Sequence, residues 1–265
     1  MDENGFDSGQ AASAAQFDRQ HLRYGKSHIL ADTSDVAAGL NGLEVPPGGR
    51  ALDVATGGGH TALRLARMGW SVSIGDVSIR VLESAQGLLG EHGFSADARL
   101  FPAEAIPFEP HTFDLVTVRV APHHFSSPPS FLREVRRVLR PGGHLLLIDG
   151  TVPENDAETD HWLNRVEKWR DPSHVRLLPP SAWRAMFEAA GLHILNESKG
   201  HLEQPDLEWY FETAATSSEN RRKVLDAVRA ASPRVRQVMR LREDGNRIIW
   251  RWPMLTLLAR ANGTP

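Results

Sequence analysis

A glycine-rich turn early in the chain joins an apolar stretch to a helical pattern. Residues 50–54 are mostly apolar, Gly57-Gly58-Gly59 follow, and apolar residues recur at helical spacing from 62 to 68. A strand that enters a helix through such a turn presents backbone N–H groups to a ligand, and glycine allows close approach without a Cβ clash. The turn therefore predicts an α/β fold that binds a nucleotide-like ligand.

The composition is that of a soluble globular protein. The chain has 265 residues, 41% hydrophobic and 24% charged, and no apolar run of about 18 residues that would predict a membrane span. Residues 1–16 are polar and lack the basic start and apolar core of a secretion signal, so we expect a disordered tail there. The sequence contains no cysteine, which excludes disulfides and thiolate catalysis. We expect a cytoplasmic protein without a membrane partner.

Strand and helix patterns alternate along most of the chain. Strands are predicted at 50–54, 70–75, 98–101, 113–118, 144–148 and 192–197, with helical patterns between them. A weaker strand at 247–258 contains Pro253, which favours a strand near an edge or with a bulge. This alternation predicts a doubly wound, Rossmann-like sheet of seven mostly parallel strands. We expect a single domain over 17–265 with an inserted cap at 151–191 and 201–246.

The spacing of the glycines argues against several nucleotide sites. A dinucleotide oxidoreductase would carry G-x-G-x-x-G, but the residue three positions after Gly59 is Ala62, so only a variant of that fingerprint remains open. The phosphate-binding pattern G-x-x-x-x-G-K-[ST] is absent, and so is the G-x-S-x-G turn of serine hydrolases.

What the chain carries instead is Asp53-x-Ala55-x-Gly57-x-Gly59, with Asp76 at the end of the second strand. This pattern resembles motif I of the class I S-adenosylmethionine-dependent methyltransferases, D-x-G-x-G-x-G, with Ala55 in place of the first glycine. Further segments resemble that family's motifs in the family's order, at 76–78, 103–108, 113–116 and 139–149. The resemblance covers residues 50–149, which we expect to be the cofactor-binding half of the domain (44–150).

Two further segments are similar to a group of ubiquinone/menaquinone-biosynthesis-type methyltransferases. They read Arg-Val-Ala-Pro-His-His-Phe at 119–125 and Arg-Asp-Pro-Ser-His-Val-Arg at 170–176. Pro122 departs from the group's pattern and restrains the backbone just before the two histidines.

The resemblance implies S-adenosylmethionine as cofactor and S-adenosylhomocysteine as product. It places Asp53 beside the methionine amino group and Asp76 on the ribose hydroxyls, although both carboxylates would also serve as helix caps. It further implies that a helical N-terminal lid (17–43), which carries Tyr24, folds over the cofactor. The expected cofactor-binding residues are Tyr24, Asp53, Ala55, Thr56, Gly57, Gly59, Asp76, Val77, Ala103, Glu104, Arg119 and Ala121.

Two adjacent histidines follow the fourth strand, where the reacting group would lie. Either His123 or His124 suits proton removal from an acceptor, with a slight preference for His124, and a structural role for both is equally open. In the cap, His174 and Arg176 are candidates for substrate binding, or for an ion pair between the cap and the core. We expect no metal ion, because no tight His or carboxylate spacing is present. Four aromatic residues are candidates for an acceptor pocket or for the core: Trp209, Tyr210, Trp250 and Trp252.

The sequence therefore predicts methyl transfer by direct in-line displacement to a small-molecule acceptor, a metabolite of biosynthetic or secondary metabolism. RNA methylation is a second hypothesis, suggested by the arginines of 219–251 but disfavoured by the net charge of −3. A solvated helical face is the other interpretation of those arginines. A non-catalytic S-adenosylmethionine-binding protein is a third hypothesis. No nucleic-acid partner is expected, and both a monomer and a homodimer remain open.

Overall fold

A seven-stranded sheet forms the centre of the computed structural model, which describes residues 5–26, 28–204, 206–244 and 247–263. The strands of the chain are β1 (Arg50–Val54), β2 (Ser71–Asp76), β3 (Asp97–Leu100), β4 (Phe113–Arg119), β5 (Leu139–Gly150), β6 (Leu192–Glu203), β7 (Arg242–Asp244), β8 (Arg247–Ile249) and β9 (Arg251–Ala261). Strands β7 and β8 pair with each other in a separate antiparallel hairpin.

The order of the main sheet is β3-β2-β1-β4-β5-β9-β6. Strands β1 to β5 pair in parallel, and β9 runs antiparallel between β5 and β6. This topology confirms the predicted Rossmann-like fold. The order reverses between β1 and β4, and in open α/β sheets the ligand crevice lies at the carboxyl ends of the strands at such a switch point.

The last strand, β9, lies next to the edge strand β6, and the register between them shifts at a bulge between Ile194 and Asn196, in agreement with the prediction of a strand near an edge or with a bulge. Pro253 lies where the pairing between β5 and β9 ends, and its carbonyl oxygen accepts the N–H of Thr151 at 2.9 Å. The strand accommodates a proline because the β5 ladder stops at this residue.

Helices cover both faces of the sheet and form the cap. They are α1 (Ser8–Lys26), α2 (His28–Ala31), α3 (Ser34–Gly39), α4 (His60–Arg67), α5 (Ile79–Glu91), α6 (Pro128–Val138), α7 (Ala157–Arg170), α8 (Pro180–Ala189), α9 (Leu207–Thr213), α10 (Ser218–Arg229) and α11 (Pro233–Val238). Of the described helices, none is long and apolar enough to cross a membrane.

Two hydrophobic cores lie on opposite faces of the sheet because side chains alternate along each strand. Leu145 and Leu147 of β5 belong to the core that Phe131 of α6 joins, whereas Leu146 and Ile148 belong to the core on the side of α4 and α5. Helix α8 packs in the first of these cores, although its residues fall in the predicted cap segment 151–191.

The cap has a third core of its own. Trp162 of α7, Tyr210 of α9, Val224 of α10 and Val235 of α11 pack around Trp250, which is fully buried. The cap core thus packs against the start of β9, and this contact joins the cap to the sheet.

The amino-terminal helix begins at Ser8, and the expectation of a disordered tail was wrong for residues 8–16. Asp7 and Gln10 form a reciprocal capping box: the N–H of Gln10 donates to Oδ1 of Asp7 at 2.8 Å, and the N–H of Asp7 donates to Oε1 of Gln10 at 2.9 Å. Farther along α1, Nε2 of Gln16 donates to the carbonyl oxygen of Ala214 in the cap at 2.9 Å. The helix therefore spans from the sheet to the cap.

Substitution of Gly59, at the start of α4, tests why the turn needs glycine. Its φ is +81°, and a Cβ there would lie 2.9 Å from Cα of Ala85 in α5. We expect Gly59→Ala to lower the free energy of unfolding by at least about 2 kcal/mol, because left-handed backbone and overpacking both add to the cost. Gly87→Ala, in open space on α5, is the matched control and should raise it by about 0.5–1 kcal/mol. Urea denaturation measures both, and equal effects would contradict the packing argument.

Candidate active site

Two adjoining cavities open at the carboxyl ends of β1 and β4. The first, the glycine-loop cleft, has a volume of about 960 Å³ and lies between the loop after β1, the ends of β2 and β4, and α1. The second, the cap cavity, has a volume of about 830 Å³ and lies between the loop after β4 and the cap. The residues that line both are Phe17, Leu30, Val120 and His124. The cleft and the cavity therefore meet beside His124.

Most of the predicted cofactor-binding residues come together around the glycine-loop cleft. The ones that line it are Ala55, Thr56, Gly57, Asp76, Val77, Ala103, Glu104, Arg119 and Ala121. Ala55, which replaces the first motif glycine, has a φ of +53°, in the left-handed region that favours glycine. Gly59 is not among the lining residues; it allows α4 to approach α5.

Asp53 lies beneath the cleft and is not among its lining residues. Its two carboxylate oxygens accept the hydroxyls of Thr56 and Thr117, each at 2.7 Å. Burial raises the pKa of Asp53 to about 6 against these hydrogen bonds, which lower it. The carboxylate thus joins the glycine loop to β4.

Asp76 lines the cleft at the end of β2. Its carboxylate accepts the N–H of Gly57 at 3.2 Å and that of Ser78 at 3.1 Å. Burial raises the pKa of Asp76 to about 6, again against hydrogen bonds that lower it. The position suits an acceptor of hydroxyl groups, since each ionised carboxylate oxygen accepts more than one hydrogen bond.

Helix α1 covers the cleft through contacts that the sequence analysis did not find. Nε2 of Gln10 donates to Glu104 at 3.0 Å, and the other Glu104 oxygen accepts the N–H of Ser127 at 3.1 Å. The hydroxyl of Ser78 donates to Asp18 of α1. Ser13 is 5% exposed and lines the cleft, and its hydroxyl has no partner in the part of the chain that the structure describes.

The side chain of the predicted lid residue Tyr24 lies outside the described residues. One sequence pattern could have predicted where α1 begins. Asp7-Ser8-Gly9-Gln10 has the spacing of a capping box, which marks the start of a helix.

Arg119 and Val120 shape the point where the two cavities meet. Arg119 donates to Asp35 at 2.8 Å and to the carbonyl oxygens of Leu30 and Asp32 at 2.8 and 2.7 Å, so its side chain holds the segment between α2 and α3. Val120 follows with a φ of +52°, which is rare for a β-branched residue. This strained turn directs the chain away from the sheet immediately before the two histidines.

His123 lines the cap cavity and forms a close pair with a buried carboxylate. Its Nδ1 lies 2.7 Å from Oδ1 of Asp149, which is 1% exposed at the end of β5. Burial lowers the pKa of His123, but the charge and hydrogen bond of Asp149 raise it, and the net direction is upward. The arrangement is that of a histidine–aspartate dyad.

His124 lines both cavities and has the opposite electrostatic environment. Burial and the neighbouring His123 lower its pKa. Its Nδ1 lies 3.0 Å from the hydroxyl of Ser173, and its ring centroid lies 4.2 Å from that of His123. Phe17 of α1 packs edge-on against the ring at 5.1 Å.

Of the two predicted substrate-binding residues, only His174 borders a cavity. It lines the cap cavity, and its Nε2 lies 3.0 Å from Oδ1 of Asn164; burial lowers its pKa. Arg176 lines neither cavity, and it pairs with Asp160 of α7 at 2.7 Å with about half of its side chain exposed. Both residues of this pair belong to the cap, so the pair does not join the cap to the core.

The rest of the cap cavity combines aromatic and charged side chains. Oε1 of Glu167 accepts the hydroxyl of Tyr210 at 2.9 Å and the indole N–H of Trp252 at 2.7 Å. Arg170 pairs with the same carboxylate at 3.3 Å. Trp209 and Trp252 line the cavity, whereas Tyr210 and Trp250 lie in the cap core.

Most of the basic residues of 219–251 pair with acidic side chains. The described pairs are Arg221–Glu208, Lys223–Glu219, Arg229–Asp226, Arg234–Asp156, Arg242–Glu203 and Arg251–Glu203. Four of these basic residues lie on α10 and α11, as in a solvated helical face, and the other two lie on strands β7 and β9.

No group of histidine and acidic side chains among the described residues is arranged to hold a metal ion. The expectation that the protein needs no metal stays a prediction.

Comparison with known proteins assigns the family. Residues 52–147 match the model of a methyltransferase domain. The uncharacterised methyltransferase YcgJ of Bacillus subtilis is 31% identical over 221 residues, which cover 83% of this chain and 87% of YcgJ. The crystal structure of the YcgJ protein superposes with a TM-score of 0.81 at 27% identity, over 87% of this chain and 99% of that one.

A second relative is the ubiquinone/menaquinone biosynthesis C-methyltransferase UbiE of Teredinibacter turnerae, which is 28% identical over 176 residues, 64% of this chain and 68% of that protein. The match to the methyltransferase domain, residues 52–147, extends across the motifs at the carboxyl ends of β1, β2 and β4 that build the glycine-loop cleft. The chain belongs to the class I S-adenosylmethionine-dependent methyltransferases and is related to their UbiE group.

Proposed function

We propose that this methyltransferase methylates a small molecule held in the cap cavity, with the cofactor bound in the glycine-loop cleft. The observation that carries the proposal is the meeting of the two cavities beside His124. Such a junction lets a methyl donor and an acceptor approach each other inside the protein, away from bulk water.

The residues of the glycine-loop cleft fit S-adenosylmethionine. Asp76 would accept the ribose hydroxyls, and Ala103 and Glu104 would flank the adenine. The buried hydroxyl of Ser13, which has no partner among the described residues, would bond to the cofactor from above. Asp53 lies beneath the cleft, so it would contribute to cofactor binding indirectly, by holding the glycine loop in position through Thr56. When bound, S-adenosylmethionine supplies an activated methyl group on its sulfonium.

The acceptor that suits the cap cavity is a small, partly apolar molecule with an acidic proton. Trp209 and Trp252 offer apolar faces, and His123 offers a proton acceptor. The printed names of the UbiE relatives, which refer to ubiquinone/menaquinone biosynthesis, support an acceptor of metabolite size.

His123 is the general base of this proposal, which reverses the slight sequence preference for His124. Asp149 holds Nδ1–H of His123 at 2.7 Å, so Nε2 is the nitrogen that takes the proton. The raised pKa makes His123 a stronger base than an ordinary imidazole, whereas the lowered pKa of His124 makes it a weak base.

Calorimetric titration with S-adenosylhomocysteine, with NAD as the control ligand, tests cofactor binding first. We expect micromolar binding of S-adenosylhomocysteine alone. Asp76→Ala should weaken it about 10- to 100-fold, because hydrogen bonds to charged groups contribute about 1.5–3 kcal/mol. The exposed Asp97→Ala at the start of β3 is the matched control and should leave the affinity unchanged. Binding of NAD alone would overturn the proposal.

The affinity for S-adenosylhomocysteine should also depend on pH through Asp76. Ribose hydroxyls donate hydrogen bonds to the ionised carboxylate, so protonation competes with binding as the pH falls through the pKa of about 6. We expect the Kd to rise about 10-fold between pH 7 and pH 5, as one protonation near pH 6 requires. Asp76→Asn carries no titrating group and should show a nearly flat profile. An equal slope in both proteins would assign the pH dependence elsewhere.

The role of His123 is tested by turnover, measured as release of S-adenosylhomocysteine with a panel of small phenols, enols and amines. His123→Gln and Asp149→Asn should each lower kcat by about 10²–10⁴-fold, the usual contribution of a general base. The Kd for S-adenosylhomocysteine should stay unchanged, because neither residue lines the glycine-loop cleft. His161→Gln, exposed on α7, is the control. Full activity of His123→Gln would refute the dyad as the base.

A further inference from the structure

The cap segment 170–176 docks directly on the histidine loop after β4. The backbone N–H groups of Val175 and Arg176 donate to the carbonyl oxygen of His123 at 2.9 and 3.1 Å. Two side chains of the same segment, Asp171 and Ser173, continue toward His124. The dyad of His123 and Asp149 does not use these two side chains.

A count of protons fixes the direction of the hydrogen bonds between Asp171, Ser173 and His124. Asp171 is 3% exposed and accepts both the N–H and the hydroxyl of Ser173, at 2.9 and 2.6 Å. Burial raises the pKa of Asp171, whereas the two hydrogen bonds from Ser173 and the charge of Arg170, which do not depend on a charged His124, lower it. The carboxyl that accepts both hydrogen bonds is ionised and has no proton to donate. A serine hydroxyl has one proton, and Ser173 donates it to Asp171.

The oxygen of Ser173 can therefore only accept from His124, which lies 3.0 Å away through Nδ1. Nδ1 must carry the hydrogen, and in a neutral imidazole the other nitrogen, Nε2, then has a free lone pair. Among the described residues, Nδ1 is the nitrogen of His124 that has a side-chain partner, and the backbone of Ser173 also hydrogen-bonds the ring and raises its pKa.

The charges around His124 favour the neutral ring. Burial lowers the pKa of His124, and so do His123, at a centroid distance of 4.2 Å, and the Arg170 guanidinium, whereas Asp171 raises it. Two imidazoles in contact do not both stay protonated, because like charges at this distance repel. When His123 takes a proton from the acceptor, Asp149 stabilises the charge, and that charge keeps His124 neutral.

We propose that Asp171 and Ser173 are positioning residues, which hold His124 as the Nδ1–H tautomer so that Nε2 accepts a hydrogen bond where the two cavities meet. His124 then selects acceptors that present a hydroxyl or amine N–H there, and it disfavours those that present an ether or carboxylate oxygen. This selection rests on the proposed function, since it assumes that an acceptor occupies the cap cavity. The tautomer itself is a property of the protein alone.

Long-range proton–nitrogen NMR of protein labelled with ¹⁵N-histidine tests the tautomer at pH 7. The signals of His124 are those missing from His124→Gln. We expect Nδ1 to be protonated and Nε2 unprotonated in the wild type. In Ser173→Ala, Nδ1 should shift toward the unprotonated type, because its acceptor is gone. Ser173→Thr, which keeps a hydroxyl, should restore the wild-type spectrum. Ser84→Ala, whose hydroxyl bonds only its own helix α5, is the matched control.

A wild-type His124 that is charged at pH 7, or that carries its proton on Nε2, overturns the proposal even if Ser173→Ala fails to fold. An unchanged His124 spectrum in Ser173→Ala overturns it as well. Titration with S-adenosylhomocysteine separates this proposal from the proposed function. Ser173 does not line the glycine-loop cleft, so Ser173→Ala should bind that ligand as the wild type does. Loss of binding in the wild type would refute the methyltransferase site without changing the tautomer.

Discussion

The buried carboxylate of Asp53 ties together the two strands on which the site depends. One oxygen accepts the hydroxyl of Thr117 on β4, and the other accepts that of Thr56 in the glycine loop, each at 2.7 Å. The β1 and β4 strands are neighbours at the point where the strand order reverses, so the loops that follow them diverge and leave a crevice. The carboxylate holds the floor of that crevice in place.

The two neighbouring histidines after β4 have opposite electrostatic environments. His123 faces an aspartate and has a raised pKa, whereas His124 faces a serine and has a lowered one. Adjacent residues in the chain thus gain different chemistry from partners that belong to different elements, β5 for one and the cap for the other. Burial increases the difference, because charge interactions are stronger where water is excluded.

The parts of the fold and site that local patterns encode could be predicted from the sequence. The glycine turn, Asp76 and the strands β1 to β5 each depend on a few neighbouring residues, and the confirmed Rossmann-like fold follows from their order. The neighbours of β9 could not be predicted, because Pro253 indicates a strand near an edge but carries no information on its antiparallel pairing between β5 and β6. The partners of the histidines were also missed. Asp149 is 26 positions from His123 and Ser173 is 49 positions from His124, so nothing in the local pattern joins them.

The contacts of α1 have a kinetic consequence. This one helix contributes Phe17 to both cavities, bonds through Gln10 to the loop beside the cleft, and bonds through Gln16 to the cap. Because α1 covers both cavities, movement of this helix away from the protein would uncover the glycine-loop cleft and the cap cavity together. Release of a ligand from one cavity by that movement would therefore expose the other cavity to solvent at the same time, and ligand exchange at the two cavities would be coupled.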